Sequence, residues 1–148
     1  MPQSLSKVYL HIVFSTKNRV NLIPEETRSN AEAYFVKVSS NLGSYTEEIY
    51  IMPNHVHWLC TLPRVLSISE LIQKIKISSS AKIKEFGIPN FTWQKGYGVF
   101  SVSQSRLESV KKYIQNQSEH HKKFDFQTEY RTFLKKYKIE YDEEYLWD

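Results

Sequence analysis

Four stretches of the chain carry the apolar and polar pattern of β-strands. The alternation in "KVYLHIVFSTK" predicts a strand over Lys7–Lys17, with Leu10, Ile12 and Phe14 on one face. "SYTEEIYIM" and "HVHWLCTL" predict two more strands, and the "PN" between them predicts a short turn that joins them in a hairpin. "FTWQKGYGVFSVS" predicts a fourth extended segment.

Helical spacing of apolar residues separates these strands. The first helix is predicted to follow Pro24 and to end at Gly43, and the second to begin at Ser67 or Ser69 and end at Gly87. "SQSRLESVKKYIQNQSEHHKKF" predicts a third, long helix with Ser103 or Ser105 as the cap. "FQTEYRTFLKKY" predicts one more helix near the end of the chain.

The order of elements predicts the fold class. Strand, helix, strand, strand, helix, strand is the ferredoxin-like, or RRM-like, order of an α+β protein: an antiparallel sheet with helices on one face. The third predicted helix follows this unit and holds candidate catalytic residues, so we predict a C-terminal catalytic helix in addition to the ferredoxin-like unit. A chain of 148 residues predicts a single domain.

Two histidines one residue apart interrupt the apolar run "IMPNHVHWL". Because alternate side chains of a strand share a face, His55 and His57 project together, while Val56, Trp58 and Cys60 project toward the predicted core. We expect the helices to leave the histidine face open. His11 falls on the corresponding face of the first strand, behind the pair. Two such imidazoles can bind one metal ion and leave coordination positions free, although two half-exposed histidines without a metal would show the same pattern.

The third helix carries Tyr113 and Gln117 at positions i and i+4, on neighbouring parts of one face. Lys111, Lys112 and the later "HKK" make this helix basic, which suits contact with phosphate groups. An ordinary amphipathic helix also places a tyrosine and a glutamine in this way.

The composition predicts a polyanionic partner and gives no sign of a membrane-spanning segment. Residues 1–124 hold 16 of the 20 Lys and Arg but only 9 of the 16 Asp and Glu, so a basic body precedes an acidic tail. Cys60 is the single cysteine and is expected to be buried in the core. No apolar run approaches the roughly 18 residues of a membrane span, so we expect a cytoplasmic protein.

Three motifs together resemble a known family. "PNHVHWL", "WQKGYGVFSVS" and "YIQNQSEHHKK" resemble the IS200/IS605-type tyrosine transposases, including those associated with repetitive extragenic palindromes. These enzymes are HUH endonucleases, named for a His-hydrophobic-His triplet, which here is His55, Val56 and His57. The resemblance runs from Tyr9 to Lys123, so residues 1–124 are expected to form the transposase domain, with 125–148 as a C-terminal helix and acidic tail of the same domain.

The resemblance implies a reaction and its residues. Mg²⁺ or Mn²⁺ would be held by His55, His57 and Gln117, and Tyr113 would attack single-stranded DNA to give a 5′-phosphotyrosine intermediate that is later rejoined. It also implies recognition of DNA with hairpin ends and a homodimer whose active sites are shared between subunits. Candidate DNA contacts are Lys17, Asn18, Arg19, Lys74, Lys76, Lys82 and Lys112.

Two other functions fit parts of the pattern. One is a catalytically silent domain of RRM-like fold that binds single-stranded nucleic acid, although no RNP1-like aromatic pattern is present on a strand. The other is a hydrolytic metalloenzyme acting on small substrates. Residues 125–148 match no family motif, and a dimer element, a gate over the basic groove and a solubility device are all compatible with their composition.

Overall fold

A computed structural model describes residues 2–148 of the chain. Four antiparallel strands form one sheet: β1 (Tyr9–Ser15), β2 (Thr46–Ile51), β3 (His55–Thr61) and β4 (Gly98–Val102), in the spatial order β2-β3-β1-β4. The predicted α+β fold and the predicted hairpin between β2 and β3 are both confirmed.

Two helices cover one face of the sheet, the face of Trp58 and Cys60, which is called the first face. These are α1 (Arg28–Asn41) and α2 (Ile68–Glu85). Ser67 caps α2 and forms a capping box with Glu70, in which each side chain binds the other residue's backbone N–H. The predicted start of α2 is therefore confirmed, and its predicted end is confirmed by Gly87, which follows the last turn at φ 97°.

The predicted long third helix is broken. It consists of α3 (Leu107–Gln115) and a single turn, α4 (Gln117–His120), which are separated by Asn116 at φ −96° and ψ 17°. The predicted serine cap is wrong, because the hydroxyls of Ser103 and Ser105 lie 3.1 Å apart and bond each other rather than a helix N–H group.

The main core lies between the first face and α1 and α2. Trp58 of β3 contacts Phe35 of α1 edge-to-face, and Phe14 of β1 contacts Trp93 in the same way. Cys60 is buried in this core, as predicted, and burial raises the pKa of its thiol to about 12. That thiol is consequently unreactive at neutral pH.

The second face of the sheet is covered as well, which corrects the expectation of an open histidine face. Leu107 and Ile114 of α3 pack on Leu59 of β3, and α5 (Phe126–Lys136) packs across β1 and β4. The expectation failed because α5 comes from the acidic C-terminal segment, whose docking site the strand pattern does not reveal. Its apolar contacts are with Val13 and Phe100 of the sheet.

The residues after α5 return to the body of the protein. Two guanidinium groups lie over the Trp147 ring, with Arg19 at 4.8 Å and Arg131 at 5.2 Å from the ring centroid. The backbone carbonyl of Asp148 accepts hydrogen bonds from the Gly96 N–H (2.9 Å) and the Gln94 side chain (3.1 Å). None of the helices described between residues 2 and 148 has both the length and the apolar character needed to cross a bilayer.

Gly98 sets how closely α5 approaches the sheet. A Cβ atom at this position would lie 2.7 Å from the ring of Tyr130 on α5, which is too close for any real contact. We therefore expect Gly98→Ala to lower the free energy of unfolding by about 1–3 kcal/mol, as overpacking of a core does. Thermal unfolding would measure this, with Ser101→Ala, an exposed position on the same strand, as control. Equal stability of the two variants would contradict the described docking of α5.

Candidate active site

His55 and His57 are buried side by side on the second face of the sheet, with 1% and 0% of each residue exposed. The Nδ1 atom of each ring has a hydrogen-bond partner. Asn54 Oδ1 lies 2.7 Å from His55 Nδ1, and His11 Nε2 lies 2.8 Å from His57 Nδ1. Because Nδ1 is engaged in both rings, both Nε2 atoms face the same interior space, an arrangement typical of metal-binding histidines. His11 lies behind the pair, as its position on β1 predicted.

A carboxylate that the sequence did not single out occupies that interior space. Glu129 projects from α5, and its Oε1 atom lies 2.8 Å from His57 Nε2, 3.1 Å from His121 Nε2 and 3.7 Å from His55 Nε2. Its side chain is 2% exposed. Glu129 thus connects the C-terminal helix to the histidine pair of the sheet.

Tyr113 and Gln117 reach the same carboxylate from α3 and α4. The Tyr113 hydroxyl donates a hydrogen bond to Glu129 Oε2 and lies 3.3 Å from His120 Nε2. The Gln117 side chain donates to Glu129 Oε2 at 3.1 Å, and its Oε1 lies 3.4 Å from His55 Nε2. Within one chain, the fold brings the predicted tyrosine, glutamine and two histidines together.

Burial controls the charge of this cluster. It lowers the pKa of His55 and His11 well below the usual histidine value, so both rings are neutral near pH 7. Burial alone would raise the pKa of Glu129, but the charge of His57 and hydrogen bonds from His121 and His57 lower it well below the usual glutamate value. Glu129 is therefore a buried carboxylate anion.

The phenol of Tyr113 is held in its protonated form. Burial, followed by the negative charge and hydrogen bond of Glu129, raises its pKa well above that of a free tyrosine. Ionisation of this phenol requires additional positive charge nearby.

The donor atoms suit a divalent cation. One ligand atom from each of His55, His57, His121 and Glu129 lies within 4.8 Å of all the others, and His121 is the least buried of the four. Imidazole nitrogens and a carboxylate oxygen are ligands of Mn²⁺ and similar ions, and carboxylates bind Mg²⁺. The residues present therefore fit the metal that the family resemblance implies.

A cavity of about 440 Å³ opens beside Tyr113, between α3 and α5. Aromatic and basic side chains line it together with Glu129, so the phenol can be approached without crossing the core. Its other lining residues include His11, Arg106, His120, Phe124, Phe133 and Lys136.

The candidate DNA contacts after β1 lie on a short turn. Lys17, Asn18 and Arg19 form a 3-10 turn in which Asn18 and Arg19 have φ near +58° and +56°. Lys17 and Asn18 are exposed, whereas the Arg19 guanidinium stacks on Trp147. The first two are free to contact a polyanion.

The candidate lysines on the helices differ in their availability. Lys74 and Lys112 are exposed. Lys82 is half-buried and pairs with Glu85 at 3.3 Å. The Lys76 ammonium donates to the backbone carbonyls of Gln94, Lys95 and Gly96, at 2.8, 3.2 and 2.7 Å. All three of its N–H bonds have partners, and burial lowers its pKa to about 8, so Lys76 serves to link α2 to the loop before β4.

The sequence contained weak signals for the two side chains that were missed. His121 lies in the "EHH" that follows the tyrosine helix, and Glu129 is an acidic residue on the apolar side of an amphipathic helix. A charged residue on a buried face is rare unless it is paired or binds a metal, so Glu129 could have been identified from the helical period alone.

Comparisons with known proteins agree with this geometry. Residues 4–117 match the sequence model of a family described as "Transposase IS200 like". A crystal structure of a candidate transposase from Deinococcus radiodurans R1 is similar, with 20% identity, a TM-score of 0.62 and coverage of 79% of this chain and 98% of that chain. A REP-associated tyrosine transposase bound to a REP hairpin is 17% identical, with a TM-score of 0.61 and coverage of 82% and 73%. No curated protein matches the chain.

Proposed function

Because the chain belongs to the IS200-like transposase family, we propose that it cleaves and rejoins single-stranded DNA through a covalent 5′-phosphotyrosine intermediate on Tyr113. One observation carries the proposal. The Tyr113 hydroxyl bonds a carboxylate that also contacts His57, so a phenol and a candidate metal site meet at one point of the fold.

The cleavage step conserves the number of phosphate ester bonds. Tyr113 Oη forms a bond to the phosphorus of a DNA phosphodiester, and the bond from phosphorus to the 3′-oxygen of the preceding nucleotide breaks. The products are a 5′-phosphotyrosine and a free 3′-hydroxyl. Attack by another 3′-hydroxyl on the same phosphorus releases Tyr113 and rejoins the strands without ATP.

The residues around the phenol position it and take part in its deprotonation. The phenol proton lies in a hydrogen bond to Glu129 Oε2, so this carboxylate is the acceptor already in place. Burial of the cluster excludes bulk water from the bond to be made. His11 and Asn54 fix the orientation of the two imidazoles, which keeps their Nε2 atoms directed at the reaction centre.

A divalent ion, Mg²⁺ or Mn²⁺, would be held by His55, His57 and Gln117, as the family resemblance implies. When bound, it would supply positive charge that favours the phenolate and offsets the charge developing on the phosphate.

The proposed substrate is single-stranded DNA with a hairpin. The fold shared with a transposase that binds a REP hairpin supports this substrate, as does the positive charge of residues 1–124. We propose that Lys17, Asn18, Lys74 and Lys112 contact phosphates because all four are exposed. Arg19 and Lys82 are proposed as secondary contacts because each already has a partner in the protein. We propose that the protein acts in the cytoplasm.

The geometry favours an active site whose residues all come from one subunit. The resemblance predicts a homodimer in which Tyr113 serves the partner's histidines, yet here Tyr113 lies beside His57 of its own chain, with ring centroids 5.9 Å apart. We propose that a homodimer, where it forms, carries two sites that are each complete within a subunit.

A denaturing gel tests the proposed reaction. We expect the wild-type protein, mixed with Mn²⁺ and single-stranded hairpin DNA, to form a protein–DNA adduct that survives denaturation and is lost when EDTA removes the metal. Salt-sensitive DNA binding without any adduct would instead identify a catalytically silent binding domain. Cleavage without a protein-linked species would identify hydrolysis.

A further inference from the structure

Glu129 is a buried anion that accepts hydrogen bonds from Tyr113 and Gln117, and its ion-pair partners are all imidazoles. Its ion-pair partners are His55, His57, His120 and His121, at 3.7, 2.8, 3.3 and 3.1 Å. No Lys or Arg described in residues 2–148 comes within ion-pair distance of it. A buried carboxylate is costly unless a cation compensates its charge.

The hydrogen bonds around His55 leave two acceptors facing each other. The Asn54 side-chain nitrogen donates to the Arg19 carbonyl (3.4 Å), so Asn54 Oδ1 is the atom that accepts from His55 Nδ1–H. A neutral ring protonated at Nδ1 carries a lone pair on Nε2. That nitrogen lies 3.7 Å from Glu129 Oε1. A cation placed between them would bind both.

We infer that Glu129 and His121 are ligands of the divalent ion, together with His55, His57 and Gln117. The metal site then extends from the sheet onto the C-terminal helix. Both added ligands lie after Gln117, where the match to the family ends. Their donor atoms lie within 4.8 Å of those of the histidine pair. The inference rests on the proposed function only for the presence of a divalent ion.

The added ligands change the chemistry of the site. Two imidazoles and an amide are uncharged, whereas Glu129 contributes one negative charge and His121 a third imidazole. Mg²⁺ prefers oxygen ligands and retains its waters, so a third imidazole ligand disfavours Mg²⁺ at this site. The ion also ties α5 to β3, because its ligands come from both elements.

Isothermal titration calorimetry with Mn²⁺ tests the assignment on the full chain. We expect Glu129→Gln, which keeps the shape of the side chain and removes its charge, to weaken Mn²⁺ binding at least about tenfold, and His121→Ala to weaken it by a similar factor. Glu119→Gln is the matched control, because Glu119 is an exposed carboxylate on α4 that pairs with Lys122. We expect this control to bind as the wild type does.

Binding to Glu129→Gln that equals wild-type binding would overturn the inference, as would a wild type that binds no Mn²⁺. Circular dichroism of the metal-free proteins establishes that the variants fold, and His121→Ala gives an independent reading if Glu129→Gln does not. If the wild type forms the adduct but Glu129→Gln binds Mn²⁺ as tightly as the wild type does, only the proposed metal ligands are refuted. If Glu129→Gln weakens Mn²⁺ binding but the wild type forms no adduct with DNA, only the proposed reaction is refuted.

Discussion

Replacing Tyr113 by Phe is expected to abolish the protein–DNA adduct, with a loss of roughly 10⁴-fold or more, as for removal of a nucleophile. The substitution removes only the hydroxyl, which donates to Glu129 and lies 3.3 Å from His120. The ring keeps its contacts with His57 and Phe133, so the fold and the DNA-binding surface should be unchanged. The denaturing gel measures the adduct, and fluorescence anisotropy with the same hairpin DNA measures binding.

Tyr145→Phe is the matched control, because Tyr145 is an exposed tyrosine in the C-terminal segment, with 63% of the residue accessible. It should form the adduct at the wild-type rate. An adduct that persists in Tyr113→Phe would show that another residue is the nucleophile.

Replacing His57 by Ala is expected to reduce both Mn²⁺ affinity and adduct formation by about 100-fold or more, because loss of a ligand should exceed the 10- to 100-fold effect of losing a residue that orients one. The substitution also leaves His11 and Glu129 without their 2.8 Å contacts in a buried site. We therefore expect a fall in the free energy of unfolding of about 3–5 kcal/mol, typical of a broken buried pair. Calorimetry with Mn²⁺, the adduct gel and thermal unfolding measure the three effects. Full adduct formation by a folded His57→Ala protein would contradict the proposed site.

Mixing the two variants determines which chain supplies each part of the site. Tyr113→Phe retains the histidines and His57→Ala retains the tyrosine. If the site is complete within one chain, as the 5.9 Å separation of the two rings indicates, the mixture should form no more adduct than either variant alone. Recovery of the adduct in the mixture would show that subunits share their sites, as the family resemblance implied.

The hydrophobic pattern was sufficient for the sheet and for the orientation of the histidines. The two-residue period fixes which side chains share a face, so His55 and His57 had to project together and away from Trp58. The "PN" turn then fixed the hairpin register that places Tyr50 opposite His57. These are local features, and local patterns determine them.

The covering of the second face depends on long-range contacts and was not predicted. The approach of α5 requires a glycine at position 98, facing Tyr130, and apolar contact between Phe126 and the sheet. Neither signal identifies its partner, because an amphipathic helix shows which of its faces is buried but not against what. The break at Asn116 was not predicted either, because asparagine is tolerated in a helix and the helical period continues through this position.

The role of the acidic segment is clearer in the structure than in the sequence. Of its seven acidic residues, Glu129 is buried among the histidines, whereas Asp125 caps α5 at its N-terminus by accepting from the Thr128 N–H. The overall negative charge of residues 125–148 concealed these two distinct functions, because a charge count does not distinguish a buried carboxylate from an exposed one.

Mass spectrometry of the DNA-linked peptide tests the central claim most directly. After proteolysis and nuclease digestion of the adduct, we expect the remaining nucleotide to be attached through its 5′-phosphate to the peptide that contains Tyr113. Attachment to any other residue, or through a 3′-phosphate, would contradict the proposed reaction.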